Sequence, residues 1–233
     1  VYREGARDRT VAVMTINRPG LPEDLPPAET LWARWALVAA LGATTADERR
    51  PSVHRTGRWI DDDGLHWDDA GCTWWVMSSM GDGRYVLYGE DESSEAKWHE
   101  PPVDMLAGGP AWLPWEELRD RLSGNELGCV YWYENGAWAR APYPDSLDDD
   151  GLDCGMGALA DRAQVVELLA ERLAPVDDEP GADALLAQAE TGRLQDVDAL
   201  LARVRDPDDD EPDPSAVARA LARSGLVGEA ATG

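Results

Sequence analysis

The residues that could carry chemistry in this 233-residue chain are few and scattered. Cys72, Cys129 and Cys154 are its three thiols, and His54, His66 and His99 its three imidazoles. None falls in a Cys-x-x-Cys or His-x-x-x-His spacing, which would present two zinc ligands from one turn or one helix face. The odd, widely separated cysteines read instead as reduced thiols of a cytoplasmic protein. A strand-to-helix Gly-x-Ser-x-Gly elbow for a nucleophilic serine is also absent from the sequence.

Carboxylates are plentiful, so acid–base and calcium chemistry have to be weighed. Glu90, Asp91 and Glu92 close an apolar run and form the candidate cluster for a carboxylate-dependent hydrolase, in which one group acts as acid and another as base. Residues 145–153 resemble a calcium loop until the register is fixed. With Gly151 in the sixth position, Ser146, Asp148 and Asp150 fall correctly, but Gly157 occupies the place of the bidentate Glu. In Asp61-Asp62-Asp63-Gly64 the glycine comes fourth, too early for that loop. Both stretches read as solvated turns. Gly155-Met156-Gly157 does not follow a strand, which removes a dinucleotide loop. No metal and no cofactor are expected.

Binding is the better-supported chemistry, and a run of hairpins must position it. Asp63-Gly64, Asp82-Gly83 and Asn135-Gly136 each interrupt short runs rich in Trp, Tyr, Val and Leu, the local pattern of a tight β-turn. A two-residue loop at Asn135-Gly136 would pair Tyr133 with Trp138 and Tyr131 with Arg140, and Trp132 with Ala139. Val130, Trp132, Ala139 and Ala141 then share a core face. Tyr131, Tyr133, Trp138 and Arg140 share the other, which reads as the exposed face and the candidate binding platform. A covering helix or tail is the alternative for that face. The loop at 98–110 is long enough to be functional and would meet this aromatic face.

The chain as a whole reads as α+β, a mostly antiparallel sheet of about five or six strands packed with two or three helices and followed by a small helical tail. Apolar spacing predicts helices over 29–41, 114–123 and 161–173, the first ended by Gly42 and the second by Gly124. Tail helices are expected over 182–190, 194–204 and 215–224, with Ser215 as an N-cap. The division is then 1–26 disordered, 27–174 sheet domain, 175–181 linker and 182–226 tail, which docks on the sheet domain, dimerises or moves on a tether. Val1 ahead of an internal Met14 suggests an alternative or over-extended start.

Composition bounds the partners. Forty-six acidic residues against 21 basic ones give a net charge of −25, which repels phosphate backbones and anionic membranes alike. Nucleic acid and membrane are not expected partners; a basic protein is, because opposite charge steers encounter. Lys97 is the single lysine and Phe is absent, the codon bias of a GC-rich bacterial genome. The expected function is a non-catalytic, cytoplasmic binding or regulatory protein, such as an immunity-type inhibitor of a basic enzyme or toxin. The hydrolase at Glu90, Asp91 and Glu92 is the alternative.

Overall fold

A computed structural model of the protein describes residues 15–205 and 213–227. Its fold is α+β around six antiparallel strands: β1 Gly57–Ile60, β2 Leu65–Asp68, β3 Trp74–Gly81, β4 Arg84–Glu90, β5 Cys129–Glu134 and β6 Ala137–Arg140. Strand order in the sheet equals chain order, the arrangement that successive hairpins impose. All three turns fall where Asp-Gly or Asn-Gly stands. Asn135 and Gly136 have φ of 54° and 81°, both in the left-handed region that a type I′ loop requires, and the pairs Tyr133 with Trp138, Trp132 with Ala139 and Tyr131 with Arg140 follow. In the β3–β4 hairpin a register shift between Ser79 and Gly81 absorbs one extra residue.

Helices cover one face of this sheet. They are α1 Ala28–Leu41, α4 Leu152–Ala160, α5 Arg162–Ala170, α6 Glu179–Glu190, α7 Val197–Leu201 and α8 Pro214–Ser224, with the short α2 Thr45–Glu48 set against α8, while α3 Trp115–Ser123 lies on the opposite face. Helix α1 is buried almost all round, including Leu31, Trp35, Leu37 and Leu41, because the sheet lies on one side and α6 and α8 on the other. Its one charged group inside, Arg34, is satisfied: Nε donates to Glu190 at 2.7 Å and a terminal nitrogen to the Ala160 carbonyl at 2.5 Å. That arginine therefore ties the ends of α4 and α6 to the central helix.

The aromatic face expected to be exposed is this covered one. Tyr131, Tyr133 and Trp138 are 0%, 5% and 8% exposed, and all three belong to the main core. Trp138 donates its indole N–H to the Pro26 carbonyl at 2.7 Å, and Arg140 donates to the Gly20 carbonyl at 2.9 Å while stacking over Tyr143. Tyr131, Tyr133 and Trp138 are thus packing residues in the covered face and not an exposed platform, and Arg140 beside them is half-buried with its guanidinium engaged. Alternation assigns residues to faces correctly, but both faces of this sheet are buried over β4–β6, and the sequence period carries no mark of that.

Part of what covers them lies in the segment expected to be disordered. Residues 15–26 pack with Ile16 and Leu25 buried, and Asp24 accepts hydrogen bonds from the Asn17 and Leu21 amides. Residues 1–14, with the start-site question, lie outside the described residues. The acidic run at 145–153 is likewise no solvated turn throughout: Asp150 is 1% exposed and accepts from the Gly20 amide at 3.0 Å, with the Tyr131 hydroxyl at 2.8 Å. It leads directly into α4, whose glycines disguised a helix. Gly155 is needed there, since a Cβ would lie 2.0 Å from the Trp75 ring.

The tail docks. One core cluster runs from Ile16 to Leu226 across residues 175–181, and α6 already begins at Glu179. Leu173 bridges Val204, and Trp32 donates to the Ser224 carbonyl at 3.0 Å. Helix α7 is shorter than expected, and α8 is capped by Asp213, not Ser215.

Candidate functional site

The second face of the sheet is covered only in part. Met105, Leu106 and Leu113 of the long connection, with Leu118 of α3, pack over Val86, Val130 and Trp132. The loop at 98–110 therefore meets the Trp132 face and not the Tyr131 face. The cover stops at β3 and α3, and β1 and β2, each four residues long, extend beyond it.

Alternation along β1 to β4 places Trp59, His66, Trp74, Val76 and Tyr88 on this side; the pairings set Trp59, His66, Val76 and Tyr88 in a row with Trp74 diagonal to His66, and Trp59, His66 and Trp74 are half-buried while Val76 and Tyr88 are buried at the covered margin. They floor an open groove of about 680 Å³. Trp59 and His66 stack with centroids 5.0 Å apart and planes 2° from parallel, and Trp74 meets Tyr88 edge-on at 6.1 Å. At the α3 wall, the Arg121 guanidinium lies 4.8 Å over the Trp74 ring and 5.5 Å over Tyr88. Exposed Val53 stands at the opposite rim.

Carboxylates surround this floor: Asp61, Asp62, Asp63, Asp68, Glu117 and Glu126, against Arg121. Several are fixed. Asp61 contacts His66 Nε2 at 2.8 Å and accepts from the Trp59 indole at 3.1 Å, which locks the stacked pair. Glu117 accepts from the Tyr88 hydroxyl at 2.6 Å and from Arg121 at 3.1 Å. Burial, then the bond to and charge of Glu117, push the Tyr88 phenol up, so it stays a donor. Asp62 is fully exposed. Aromatic faces framed by carboxylates suit a cation carried on an apolar stem, the chemistry of lysine and arginine side chains.

Asp61 gives this site a signature in acid. Burial pushes its carboxyl up, but the hydrogen bond and charge of His66, with bonds from the Asp63 amide and the Trp59 indole, outweigh burial and hold it at about 2 against an ordinary 3.8. A carboxyl lowered in the folded state stabilises fully above the unfolded value and loses that contribution as pH falls from 3.8 towards 2. After solvent screening of this partly exposed group the contribution is about 1 kcal/mol. Urea melts from pH 5 to pH 2 should show Asp61→Asn less stable than the parent at pH 5 and less steeply dependent on pH. Equal slopes for the two proteins would contradict this assignment.

The carboxylate run at the end of β4 is a built turn. Glu90 pairs with Lys97, Asp91 is buried and accepts from the Thr73 hydroxyl at 2.5 Å and the Ser93 amide at 2.9 Å, and Glu92 is exposed. Burial raises the Asp91 carboxyl, and these bonds more than offset it, leaving it below its ordinary value. Glu90, Asp91 and Glu92 therefore do not converge on a cavity. No group of three or more His, Cys, Asp or Glu side chains is placed to hold a metal ion among the described residues, and no described helix is long and apolar enough to cross a membrane.

Sequence reasoning passed over the groove because its members come from four strands. The signal was present: extending the Asp63-Gly64 hairpin outward from Ile60 and Leu65 pairs Trp59 with His66. In comparisons with known proteins, the chain matches no family model, no curated protein and no solved structure.

Proposed function

We propose that the protein is a non-catalytic binding protein that takes a basic segment of a partner protein into the groove on β1–β3. The observation that carries this reading is the cluster Trp59, His66 and Trp74, left half-buried where the cover of the sheet ends and ringed by carboxylates. A chain of net charge −25 draws a basic partner in, and the aromatic floor supplies the contact energy once it arrives. The same charge opposes binding to nucleic acid. An inhibitor of a basic enzyme or toxin, of the immunity kind, is the setting that fits, and free thiols at Cys72, Cys129 and Cys154 support a reducing cytoplasm.

A peptide of about twelve residues alternating Arg and Leu is a suitable probe. Titrated into the protein and followed by tryptophan fluorescence, it should bind saturably and more weakly as salt is raised. Trp74→Ala should weaken it by about 2 kcal/mol, roughly 30-fold. The double change Asp62→Asn with Asp63→Asn should flatten the salt dependence. Parental affinity in a folded Trp74→Ala protein would contradict the proposal.

A further inference from the structure

At the β1 edge, on the helical face, a second cleft of about 570 Å³ opens between the end of α1, α2 and the end of α5. Four arginines line it, Arg50, Arg55, Arg58 and Arg172, against the three carboxylates Asp47, Glu48 and Glu171. Two of them are engaged. Arg50 pairs with Asp47 at 3.1 Å, and Arg55 donates to the Arg50 and Glu48 carbonyls at 2.9 and 2.8 Å. The Glu48 carboxylate on the rim is taken by Arg219 of α8 at 2.6 Å.

Arg58 and Arg172 stand apart from this. Neither makes an ion pair among the described residues. The Arg58 Nε is buried with no hydrogen-bond partner, its guanidinium lying 4.8 Å over the Trp67 ring. Burial, then the charge of Arg172, push the Arg58 guanidinium below its ordinary value. Arg172 reaches the same space from the turn just after α5, against the close of α1 at Gly42. Among the described residues no carboxylate pairs with either of these two neighbouring cations, and like charges placed side by side repel unless an anion joins them. Each guanidinium presents a planar fork of N–H donors that matches the oxygens of a phosphate.

We propose that Arg58 and Arg172 bind a small oxyanion of the phosphate class, either inorganic phosphate or a phosphate monoester, bridged between the two guanidiniums. The cleft is larger than a phosphate group and has room for the remainder of a monoester. Trp59 borders both this cleft and the aromatic groove, but Arg58 and Arg172 line this cleft alone, so either proposal can fail without the other.

Calorimetry on the full chain at constant ionic strength, with inorganic phosphate in one arm and glycerol phosphate in the other, tests it. Saturable binding is expected, half-saturated at about 1 mM or below. Tighter binding of the ester assigns a monoester, and equal binding assigns free phosphate. Arg172→Gln should lose at least about ten-fold in affinity, Arg172→Lys should fall between because it keeps charge without the fork, and Arg50→Gln should bind like the parent. Arg172 is partly exposed, so this series stays informative if Arg58→Gln fails to fold. No saturable heat in either arm, or parental affinity in Arg172→Gln, would overturn the proposal and mark any bound phosphate as an adventitious ion only.

Discussion

Trp138→Ala is expected to cost about 3–5 kcal/mol of folding stability, the range for a buried aromatic cut back to Ala. The indole is 8% exposed, meets Tyr133 edge-on with centroids 5.2 Å apart, and holds the Pro26 carbonyl at 2.7 Å. Its loss opens a cavity beneath the 22–26 segment and leaves the Pro26 carbonyl without its donor, two penalties that act together. Urea unfolding of the variant and the parent measures the difference. A loss under about 1 kcal/mol would mean that the residue faces solvent and that the cover over β5 and β6 is not as described.

Removing residues 176–233 should have a still larger effect. Helix α1 contacts both α6 and α8, and the deleted segment carries Leu185, Leu186, Leu194, Leu200, Val217, Leu221 and Leu226, all buried. At about 1.5–3 kcal/mol for each large apolar side chain, the loss is on the order of 10 kcal/mol, comparable to the whole stability of an ordinary domain. The truncated chain should lack a cooperative thermal transition, lose its near-ultraviolet circular dichroism and bind a hydrophobic dye. A cooperative melt with a parental near-ultraviolet spectrum would show that the tail is an appendage to a self-sufficient sheet domain.

What could be read in the sequence was local. Asn135-Gly136 and Asp82-Gly83 name their own turns, because a left-handed pair of residues suits few other side chains, and the strands follow by alternation. Helix α3 was legible from Trp115, Leu118 and Leu122 with Gly124 as its stop. The misread features all depend on partners distant in the chain. Asp150 looks like a turn residue until Gly20 and Tyr131 are brought to it, 130 and 19 residues away. Helix α4 looks like a loop because Gly155 is selected by contact with Trp75 and not by helix propensity. The Tyr131, Tyr133 and Trp138 face looks like a platform because polar-tipped aromatics are as useful in a covered layer, where the Tyr131 and Trp138 tips find acceptors, as they are at an interface. The true opening lies on β1 to β3, where the strands are short and the cover runs out.

The central claim is that this opening is where the protein binds. The most direct measurement is an amide chemical-shift map of the isotope-labelled protein on titration with the alternating Arg and Leu peptide. The account predicts shifts that saturate together on β1, β2, β3 and the Glu117 to Arg121 stretch of α3, with α6 to α8 unmoved. Shifts scattered over the acidic surface of α6 to α8, or none on β1 to β3 at saturation, would contradict it: charge alone would then be attracting the peptide, and the aromatic groove would have no part in binding.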